Sequence, residues 1–346
     1  MSDTSRAAAR NVSDTLRAAC FGRDLDRDGW PSVSVVVPVR NEGDHLERAV
    51  TSILAQDYPI PVDVCLAVAP SHDDTAAVAA RIAATKQRVS VVDSPAGITP
   101  AGLNAAIAAT GGSIVVRVDG HAQLSPGYIR RAVETMCRTG AVNVGGTQLP
   151  KPQSPFEEAV AAATTSWMGT GGATYRVGGA AGPVDTVYLG VFDRAAGDTV
   201  GWFDDTLIRN QDYEFNIRLR RAGGTVWFDP ELAAGYRPRG SWRALARQYY
   251  EYGYWKAEVL RRHPDSLRLR QTVPPIAIGA ALLGVLIGGR WHPAMIAPAG
   301  YLAALASTAR RGPRLITPAV LATMHTSWVG GATAWLVGQL RLRLFR

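Results

Sequence analysis

An acidic and an imidazole side chain stand two positions apart in the tripeptide Asp119-Gly120-His121. The tripeptide follows residues 113–118, whose apolar, β-branched run predicts a buried strand. In a tight turn, which Gly120 permits, side chains at positions i and i+2 can face the same metal ion. A carboxylate with an imidazole suits Mn²⁺ or Mg²⁺, with phosphate oxygens and water completing the shell. The tripeptide predicts a divalent-metal site, although alone it is also typical of a plain turn after a strand.

A second side chain that could do chemistry is Asp212, which follows Gln211 and opens a predicted helix over residues 212–221. A carboxylate at the start of a helix is stabilised by the helix dipole. A carboxylate can also act as a general base that takes a proton from an attacking hydroxyl. Both interpretations can hold at once.

The elements that would position these residues alternate between strand and helix. Strands are predicted at residues 33–37, 62–68, 89–92, 113–118 and 141–147, with helix-start signals at Asn41, Asp73, Thr99-Pro100 and Ser125-Pro126, and with Pro38 ending the first strand. This alternation predicts an α/β fold with a parallel sheet covered on both faces. Ligands bind at the carboxyl ends of such strands, where Arg40-Asn41-Glu42 and Asp119-Gly120-His121 fall.

Residues 148–182 are rich in Gly, Ala, Thr and Pro. Their composition predicts either a mobile loop or lid, or a plain surface connection. A helix is predicted next over residues 241–262, with an apolar stripe and several arginines. It is either an interfacial helix at a membrane surface or an ordinary packed helix with a wet face.

The C-terminal part is apolar and basic. Residues 273–289 and 291–309 predict a helical hairpin that turns at Gly288-Gly289-Arg290, and residues 315–340 form a third apolar stretch. From Arg237 onward there are 16 basic and three acidic residues, whereas the formal charge of the whole chain is only +8. Basic charge beside apolar segments fits an anionic lipid leaflet. With no recognisable nucleic-acid module, nucleic acid is excluded as the expected partner.

His325 lies inside the third apolar stretch, where an imidazole is costly unless it meets a partner or water. It is expected either to hydrogen-bond a backbone carbonyl or, with Trp328, to face a groove for a lipid diphosphate. The three cysteines, Cys20, Cys65 and Cys137, form no CxxC pair, so we expect no disulfide framework and no zinc site. The polar first thirty residues predict no signal peptide and a cytosolic catalytic domain.

The segment from Val33 through Pro38-Val39-Arg40-Asn41-Glu42, followed by Asp119-Gly120-His121 and Gln211-Asp212, resembles the GT-A glycosyltransferases of family 2. Within that family it is most similar to the membrane-attached enzymes of the succinoglycan type, which build exopolysaccharide on a lipid carrier. The resemblance runs from about Pro31 to the apolar tail. It implies a GT-A fold, Rossmann-like with a mostly parallel sheet, followed by C-terminal membrane helices.

The resemblance also implies roles for individual residues. It assigns the catalytic base to Asp212, the metal to Asp119 and His121, and donor binding to Pro38, Arg40, Asn41, Glu42, Ser71, Asp73, Asn104 and Asp119. Val68-Ala69-Pro70 stands where the family has the aspartates that help to hold uracil, and Leu103 replaces an arginine. The Gln-x-x-Arg-Trp motif of processive synthases does not occur in the sequence, which disfavours long processive polymerisation.

These inferences lead us to expect an inverting enzyme that moves a sugar from a UDP-sugar to an acceptor on a polyprenyl diphosphate, with Mn²⁺ or Mg²⁺. A processive polysaccharide synthase and a non-catalytic membrane scaffold remain alternatives. The expected organisation is a leader at residues 1–30, a GT-A domain at 31–240, an interfacial helix region at 241–270 and a membrane segment of two to three helices at 271–346, with the catalytic domain on the cytoplasmic side.

Overall fold

The computed structural model describes residues 20–344, so the first 19 residues of the predicted leader lie outside the described residues. The chain divides into two compact units. The first unit, which we call the sheet unit, joins the chain up to Leu149 with Gly178–Tyr236. The second, the helical unit, joins Pro150–Val177 with the chain from Arg237 onward.

Nine strands and fourteen α-helices are described. The strands are β1 Val33–Val39, β2 Asp63–Val68, β3 Val89–Asp93, β4 Ile114–Arg117, β5 Gln123–Leu124, β6 Asn143–Pro150, β7 Gly182–Pro183, β8 Tyr188–Asp193 and β9 Val226–Tyr236. The helices before residue 237 are α1 Leu25–Asp28, α2 Gly43–Leu54, α3 Thr75–Thr85, α4 Thr99–Ala108, α5 Tyr128–Thr139, α6 Pro155–Thr164, α7 Trp167–Thr170, α8 Thr174–Val177, α9 Arg194–Val200 and α10 Gln211–Arg221. The C-terminal helices are α11 Trp242–Arg262, α12 Leu269–Gly288, α13 Ile296–Ser307 and α14 Ile316–Leu344, with 3₁₀ turns at Pro264–Ser266, His292–Met295 and Thr308–Arg310.

All nine strands form one mixed sheet in the order β3-β2-β1-β4-β8-β6-β9-β5, with β7 also paired to β9. The pairs β3–β2, β2–β1 and β1–β4 are parallel, as the alternation of strand and helix predicts. The expectation of a mostly parallel sheet is nevertheless wrong, because β8 is antiparallel to both β4 and β6. The predicted fifth strand is therefore β6, and the strand beside β4 comes from much later in the chain.

Both faces of the sheet are covered, as predicted. Along β1, Val35 and Val37 enter one hydrophobic cluster while Val36 enters another, because side chains of a strand point alternately to its two faces. The first cluster receives the buried faces of α2 and α5, and the second receives those of α4 and α10. A sheet buried on both faces fixes the backbone at its strand ends.

The first strand continues through Pro38 instead of ending there. Pairing of β1 with β4 ends at Val36, whereas pairing with β2 continues to Val39. Pro38 thus lies beyond the last position that β4 covers, where a backbone nitrogen that cannot donate costs little. The strand carries its register as far as Val39, directly before Arg40 in the loop expected to bind the donor.

Residues 20–30 are fastened to the sheet unit by a disulfide between Cys20 and Cys137, the latter in the last turn of α5. The expectation that the cysteines make no disulfide is wrong for this pair. The two residues are 117 positions apart, so no local spacing motif could indicate the bond. Cys65 is the free cysteine among the described residues, and it is buried in β2.

The segment over residues 150–177 is helical, which corrects the expectation of a loop or lid. Ser154 caps α6 by accepting a hydrogen bond from the backbone N–H of Glu157, and Pro155 occupies the first turn. The buried Glu157 carboxylate accepts from Arg237 Nε at 2.9 Å, which joins α6 to the start of the C-terminal segment. Both residues belong to the helical unit.

Helix α11 packs closely against α14. An added Cβ at Gly253 would meet the backbone of Trp328, and one at Gly331 would meet the backbone of Tyr250, so the two helices touch through glycines. Leu245 and Val259 are fully buried there. Part of the predicted stripe is thus a packing face, whereas Trp242 is 44% exposed, and the interfacial interpretation of residues 241–262 stays a prediction.

The predicted hairpin is present. Helix α12 ends at Gly288, and α13 packs back onto it where Gly284 meets Ala294 and Pro298. Large apolar side chains on α12 remain exposed, including Ile276 at 66%, Leu282 at 62% and Leu286 at 79%. Among the described residues, α12 is the one helix whose length and composition would allow it to cross a membrane, where two to three were expected.

His325 is buried and uses both ring nitrogens. Its Nε2 lies 2.9 Å from the backbone oxygen of Met168, and its Nδ1 lies 3.1 Å from the Tyr301 hydroxyl. Because a carbonyl only accepts, Nε2 of a neutral ring carries the proton and Nδ1 accepts from Tyr301. The structure thus shows the backbone hydrogen bond, the first of the two interpretations for His325.

Candidate active site

Asp119 stands just past the end of β4 and is held by Arg117, the last residue of that strand. Arg117 donates from Nε at 3.1 Å and from Nη2 at 2.9 Å to the same oxygen, Oδ1 of Asp119. Within the described residues, the other carboxylate oxygen of Asp119 has no hydrogen-bond donor. That oxygen is the one available to a ligand.

Asp119 is poised to be a carboxylate. Burial by itself would raise its pKa, but attraction to Arg117 and His121, hydrogen bonds from Arg117 and the charge of Arg209 together lower the pKa below its usual value. Asp119 is therefore ionised at neutral pH, as a metal ligand must be.

His121 is oriented by Glu42. Its Nδ1 lies 2.7 Å from Glu42 Oε1, and the Glu42 side chain is only 16% exposed. Gly120 makes this approach possible, since an added Cβ would lie 3.0 Å from Glu42 Cγ and 3.1 Å from Val39 Cγ1. The turn after β4 thus lies against the loop after β1. Glu42, expected to line the nucleotide, contacts His121, the predicted metal ligand.

Asp212 lies in the first turn of α10, as predicted. The helix begins at Gln211 after Asn210, which adopts a left-handed φ of 60° that asparagine tolerates better than most residues. Oδ1 of Asp212 accepts from the Tyr213 N–H at 2.8 Å, and its Oδ2 lies 3.9 Å from Nη1 of Arg117. The side chain is 42% exposed, so it is open to an incoming hydroxyl.

The segment before Asp212 is fixed from two sides. Asn104 in α4 donates to the Phe203 carbonyl and to Asp205 Oδ1, both at 2.7 Å, and accepts from the Phe203 N–H at 3.1 Å. Arg218 in α10 donates to the Trp202 carbonyl at 2.6 Å. Asn104, expected to bind the donor, thus shapes the approach to α10 in this structure.

The expected donor-binding loop after β1 is clasped to the turn after β2. Asn41, with a left-handed φ of 56°, accepts from the His72 N–H at 2.9 Å and donates its own N–H to Ser71 Oγ at 3.1 Å. Asp73 accepts from the Gly43 N–H at 3.1 Å. A hydrogen bond from the Thr75 hydroxyl and backbone N–H groups lower the pKa of Asp73. The strand ends that carry Asn41, Ser71 and Asp73 therefore lie together, as the predicted sheet requires.

Arg40 extends the same loop toward a third strand end. Its Nη1 donates to the carbonyl of Gly97 at 2.9 Å. Gly97 has a left-handed φ of 67° and follows β3. Arg40 thus joins the loops that follow β1 and β3, on the side of the sheet edge away from β4.

Comparison with known proteins identifies the family. Residues 34–201 match the family model described as Glycosyl transferase family 2. Over 308 residues the chain is 30% identical to the succinoglycan biosynthesis protein ExoA of Rhizobium meliloti (strain 1021), with 86% of this chain and 92% of that protein covered. The chain belongs to glycosyl transferase family 2. It is accordingly a glycosyltransferase that uses a nucleotide-sugar donor.

Two further likenesses are more distant. The chain is 21% identical over 239 residues to the dolichyl N-acetyl-alpha-D-glucosaminyl phosphate 3-beta-D-2,3-diacetamido-2,3-dideoxy-beta-D-glucuronosyltransferase of Methanococcus voltae, covering 66% of this chain and 74% of that protein. The mannosyltransferase PcManGT from Pyrobaculum calidifontis, solved in complex with GDP-Man and Mn²⁺, superposes with a TM-score of 0.63 at 19% identity over 96% of both chains. This confirms a GT-A-like fold, with the mixed sheet described above.

The residues of this chain fit a divalent metal only if the nucleotide-sugar substrate supplies further ligands. Among the described residues, no group of three or more His, Cys, Asp or Glu side chains could hold a metal ion alone. Asp119 offers one oxygen that protein donors leave open, and the Glu42–His121 contact is the usual way in which a carboxylate orients a metal-binding imidazole. Two protein ligands with diphosphate oxygens and water would complete a shell for Mn²⁺ or Mg²⁺.

Three arginines of the candidate active site were not predicted from the sequence. Arg117 contacts both aspartates, Arg209 lowers the pKa of Asp119, and Arg218 holds the segment before α10. The one available signal was the position of Arg117 two residues before Asp119, at a strand end. An arginine closing an otherwise apolar strand is unusual enough to deserve a place among the candidate site residues.

Proposed function

We propose that the chain transfers a sugar from a nucleotide diphosphate, expected to be UDP, to a sugar on a polyprenyl diphosphate, with inversion at the anomeric carbon. The product would serve cell-surface polysaccharide synthesis. Family membership supports the reaction class, and the succinoglycan relative supports the pathway type. The dolichyl phosphate in the name of the Methanococcus voltae relative supports a lipid-linked acceptor.

The observation that carries the proposal is the meeting of Asp119 and Asp212 on one arginine. The two carboxylates are far apart in sequence, yet Arg117 lies 2.9 Å from an oxygen of Asp119 and 3.9 Å from one of Asp212. Asp119 is the less exposed of the two, at 20% against 42%. A sheltered carboxylate suits ligand binding, and an open one suits proton transfer from an acceptor.

The chain's residues divide the work of the reaction. Asp119 and His121 would hold the divalent metal, which when bound stabilises the negative charge that develops on the departing diphosphate. Asp212 takes the proton of the acceptor hydroxyl as that oxygen attacks the anomeric carbon. A base acting on the acceptor allows a single displacement, and a single displacement inverts the anomeric configuration.

The helical unit supports the proposal of membrane attachment. The exposed apolar side chains of α12 and α13 would face lipid, with Arg268 and Arg270 at the start of α12 and Arg310, Arg311 and Arg314 after α13 in the headgroup region. By the positive-inside rule, these arginine clusters favour a cytoplasmic position for both ends of the hairpin. The catalytic domain would then meet its lipid-linked acceptor at the inner face of the membrane.

The experiment uses the full chain in detergent or nanodiscs, with a panel of UDP-sugars and GDP-sugars and a polyprenyl-diphosphate-linked monosaccharide acceptor. The proposal predicts one sugar added per acceptor from a UDP-sugar, dependent on Mn²⁺ or Mg²⁺ and lost with chelator. NMR of the product should show the anomeric configuration opposite to that of the donor. Retention of configuration, or full transfer in chelator, would contradict the proposed mechanism.

A further inference from the structure

We propose that Arg117 is a positioning residue for sugar transfer, which holds Asp119 and Asp212 in the arrangement that the reaction needs. The inference rests on the proposed function for the two aspartates. Arg117 touches neither donor nor acceptor in this account and acts through the carboxylates that do.

The guanidinium group of Arg117 is divided between the two carboxylates. Nε and Nη2 both donate to Oδ1 of Asp119, and Nη1 is the nitrogen nearest Asp212, 3.9 Å from Oδ2. All three nitrogens therefore serve one pair of acids. A lysine, with its charge at one point on a flexible stem, cannot satisfy both carboxylates in this geometry.

The guanidinium group of Arg117 projects from a rigid element of the fold. Arg117 is the last residue of β4, its Cα is in register with Val36 of β1, and its side chain is only 12% exposed. A side chain that leaves a central strand of a fully covered sheet has little freedom to reorient. Sites built on such elements are held more closely than sites on loops.

The pair with Asp212 contributes orientation more than stability. Asp212 is 42% exposed, and ion pairs with solvent-exposed partners contribute little to folding. Asp119 after β4 and Asp212 in α10 carry like charges that repel each other, however, and the arginine that lies near both offsets that repulsion. With Oδ1 of Asp119 engaged, its other oxygen is left for the metal, while Oδ2 of Asp212 is drawn toward the same strand end.

The test is a double-mutant cycle on the full chain in detergent, with Arg117→Met and Arg117→Lys made alone and in an Asp212→Asn background. Arg117→Met should lower kcat for transfer by about 10²-fold, because a small misplacement of a reacting group has that effect. Arg117→Lys should stay about tenfold below normal, because it keeps the charge and loses the fork. In the Asp212→Asn background, adding Arg117→Met should lower kcat by a further factor of less than about three.

Two further readouts separate positioning from folding. Calorimetry with UDP and Mn²⁺ should show affinity within about tenfold of normal for Arg117→Met, since both metal ligands remain. Arg131→Met, which removes the arginine paired with Asp229, is the matched control and should lower the thermal midpoint and leave kcat near normal.

A normal kcat in Arg117→Met would overturn the inference while leaving Asp212 as the base. The same would follow if Arg117→Met lowered kcat as much in the Asp212→Asn background as it does alone. Normal transfer by Asp212→Asn alone would instead contradict the proposed function, and the inference about Arg117 with it.

Discussion

Nδ1 of His121 lies 2.7 Å from Oε1 of Glu42, a residue 79 positions earlier in the chain. A carboxylate only accepts hydrogen bonds, so Nδ1 carries the proton of this contact, and in the proposed metal complex the lone pair on Nε2 would bind the ion. This contact connects the loop after β1 with the turn after β4. It fixes the orientation of the ring that is proposed to bind the metal.

Glu42→Gln should therefore weaken metal-dependent donor binding. The amide of glutamine can donate to Nδ1 and so favour the tautomer whose Nε2 is protonated. Loss of such a partner lowers metal affinity by about 10–100-fold. Calorimetry with UDP and Mn²⁺ measures the effect, with Glu47→Gln on the exposed face of α2 as control. Equal affinities in the two variants would mean that Glu42 does not orient a ligand.

Asp119→Ala should abolish metal-dependent UDP binding and leave the sheet intact. The carboxylate supplies the open oxygen at the end of β4, and its removal also leaves Arg117 without its nearest partner. Titration with UDP and Mn²⁺ by calorimetry gives the result. Asp63→Ala, which removes an exposed carboxylate paired with Arg88, is the control. Undiminished binding by Asp119→Ala would rule out the metal assignment.

The parts of the site that the sequence predicts are those that local patterns encode. Apolar runs locate β1, β2, β3 and β4, and the carboxyl ends of parallel neighbours must meet, so the proximity of Asn41 to Ser71 and of Glu42 to His121 follows. The start of α10 at Gln211 is predictable because a polar pair precedes a helical pattern. These features depend on residues close in sequence.

The parts that escape prediction depend on partners far apart. Nothing near Asp119 indicates that β8 lies antiparallel beside β4, because that pairing joins Val116 to Val191. The Cys20–Cys137 bond is of the same kind. The proximity of Arg117 to both Asp119 and Asp212 is visible only once β4 and α10 are placed together. The helices over residues 150–177 were missed because glycine and alanine suggested a loop, while their burial within the helical unit decides otherwise.

Membrane attachment should depend on the exposed face of α12. The triple substitution Ile276→Asp, Leu282→Asp and Leu286→Asp puts carboxylates where lipid is proposed, at about 2.5–3.5 kcal/mol for each near the bilayer centre. The variant should be released or fail to insert, as measured by carbonate extraction of membranes. The control is Val91→Asp, an exposed apolar position in β3. Full retention of the triple variant would place the anchor elsewhere.

The free energy of unfolding of the sheet unit should fall at low pH, partly because Asp229 becomes protonated. This carboxylate is 1% exposed and accepts from Arg131 at 2.9 Å and from the Thr135 hydroxyl at 3.0 Å. Burial alone would raise its pKa, but these donors and the Glu231 N–H lower it. Because the pKa is lower in the folded state, the stabilisation is complete above the unfolded value of about 3.9 and is lost as pH falls through the folded value.

Asp229→Asn should accordingly destabilise the protein at pH 7 by on the order of 2 kcal/mol. The difference from the parent should stay constant down to about pH 4 and narrow only below it. Thermal midpoints measured between pH 7 and pH 3 provide the comparison, with Glu231→Gln, whose carboxylate is 68% exposed, as the control. A difference that narrows already between pH 7 and pH 5 would contradict the lowered pKa.

The central claim is that Asp212 is the base, and the rate of transfer by Asp212→Asn tests it most directly. The amide keeps the shape but cannot accept the proton, so kcat should fall about 10²-fold or more, while calorimetry shows UDP–Mn²⁺ binding near normal. Glu158→Gln, an exposed first-turn acid of α6, controls for loss of a helix-dipole interaction and should transfer normally. Transfer by Asp212→Asn at near the normal rate would contradict the account and place the base elsewhere.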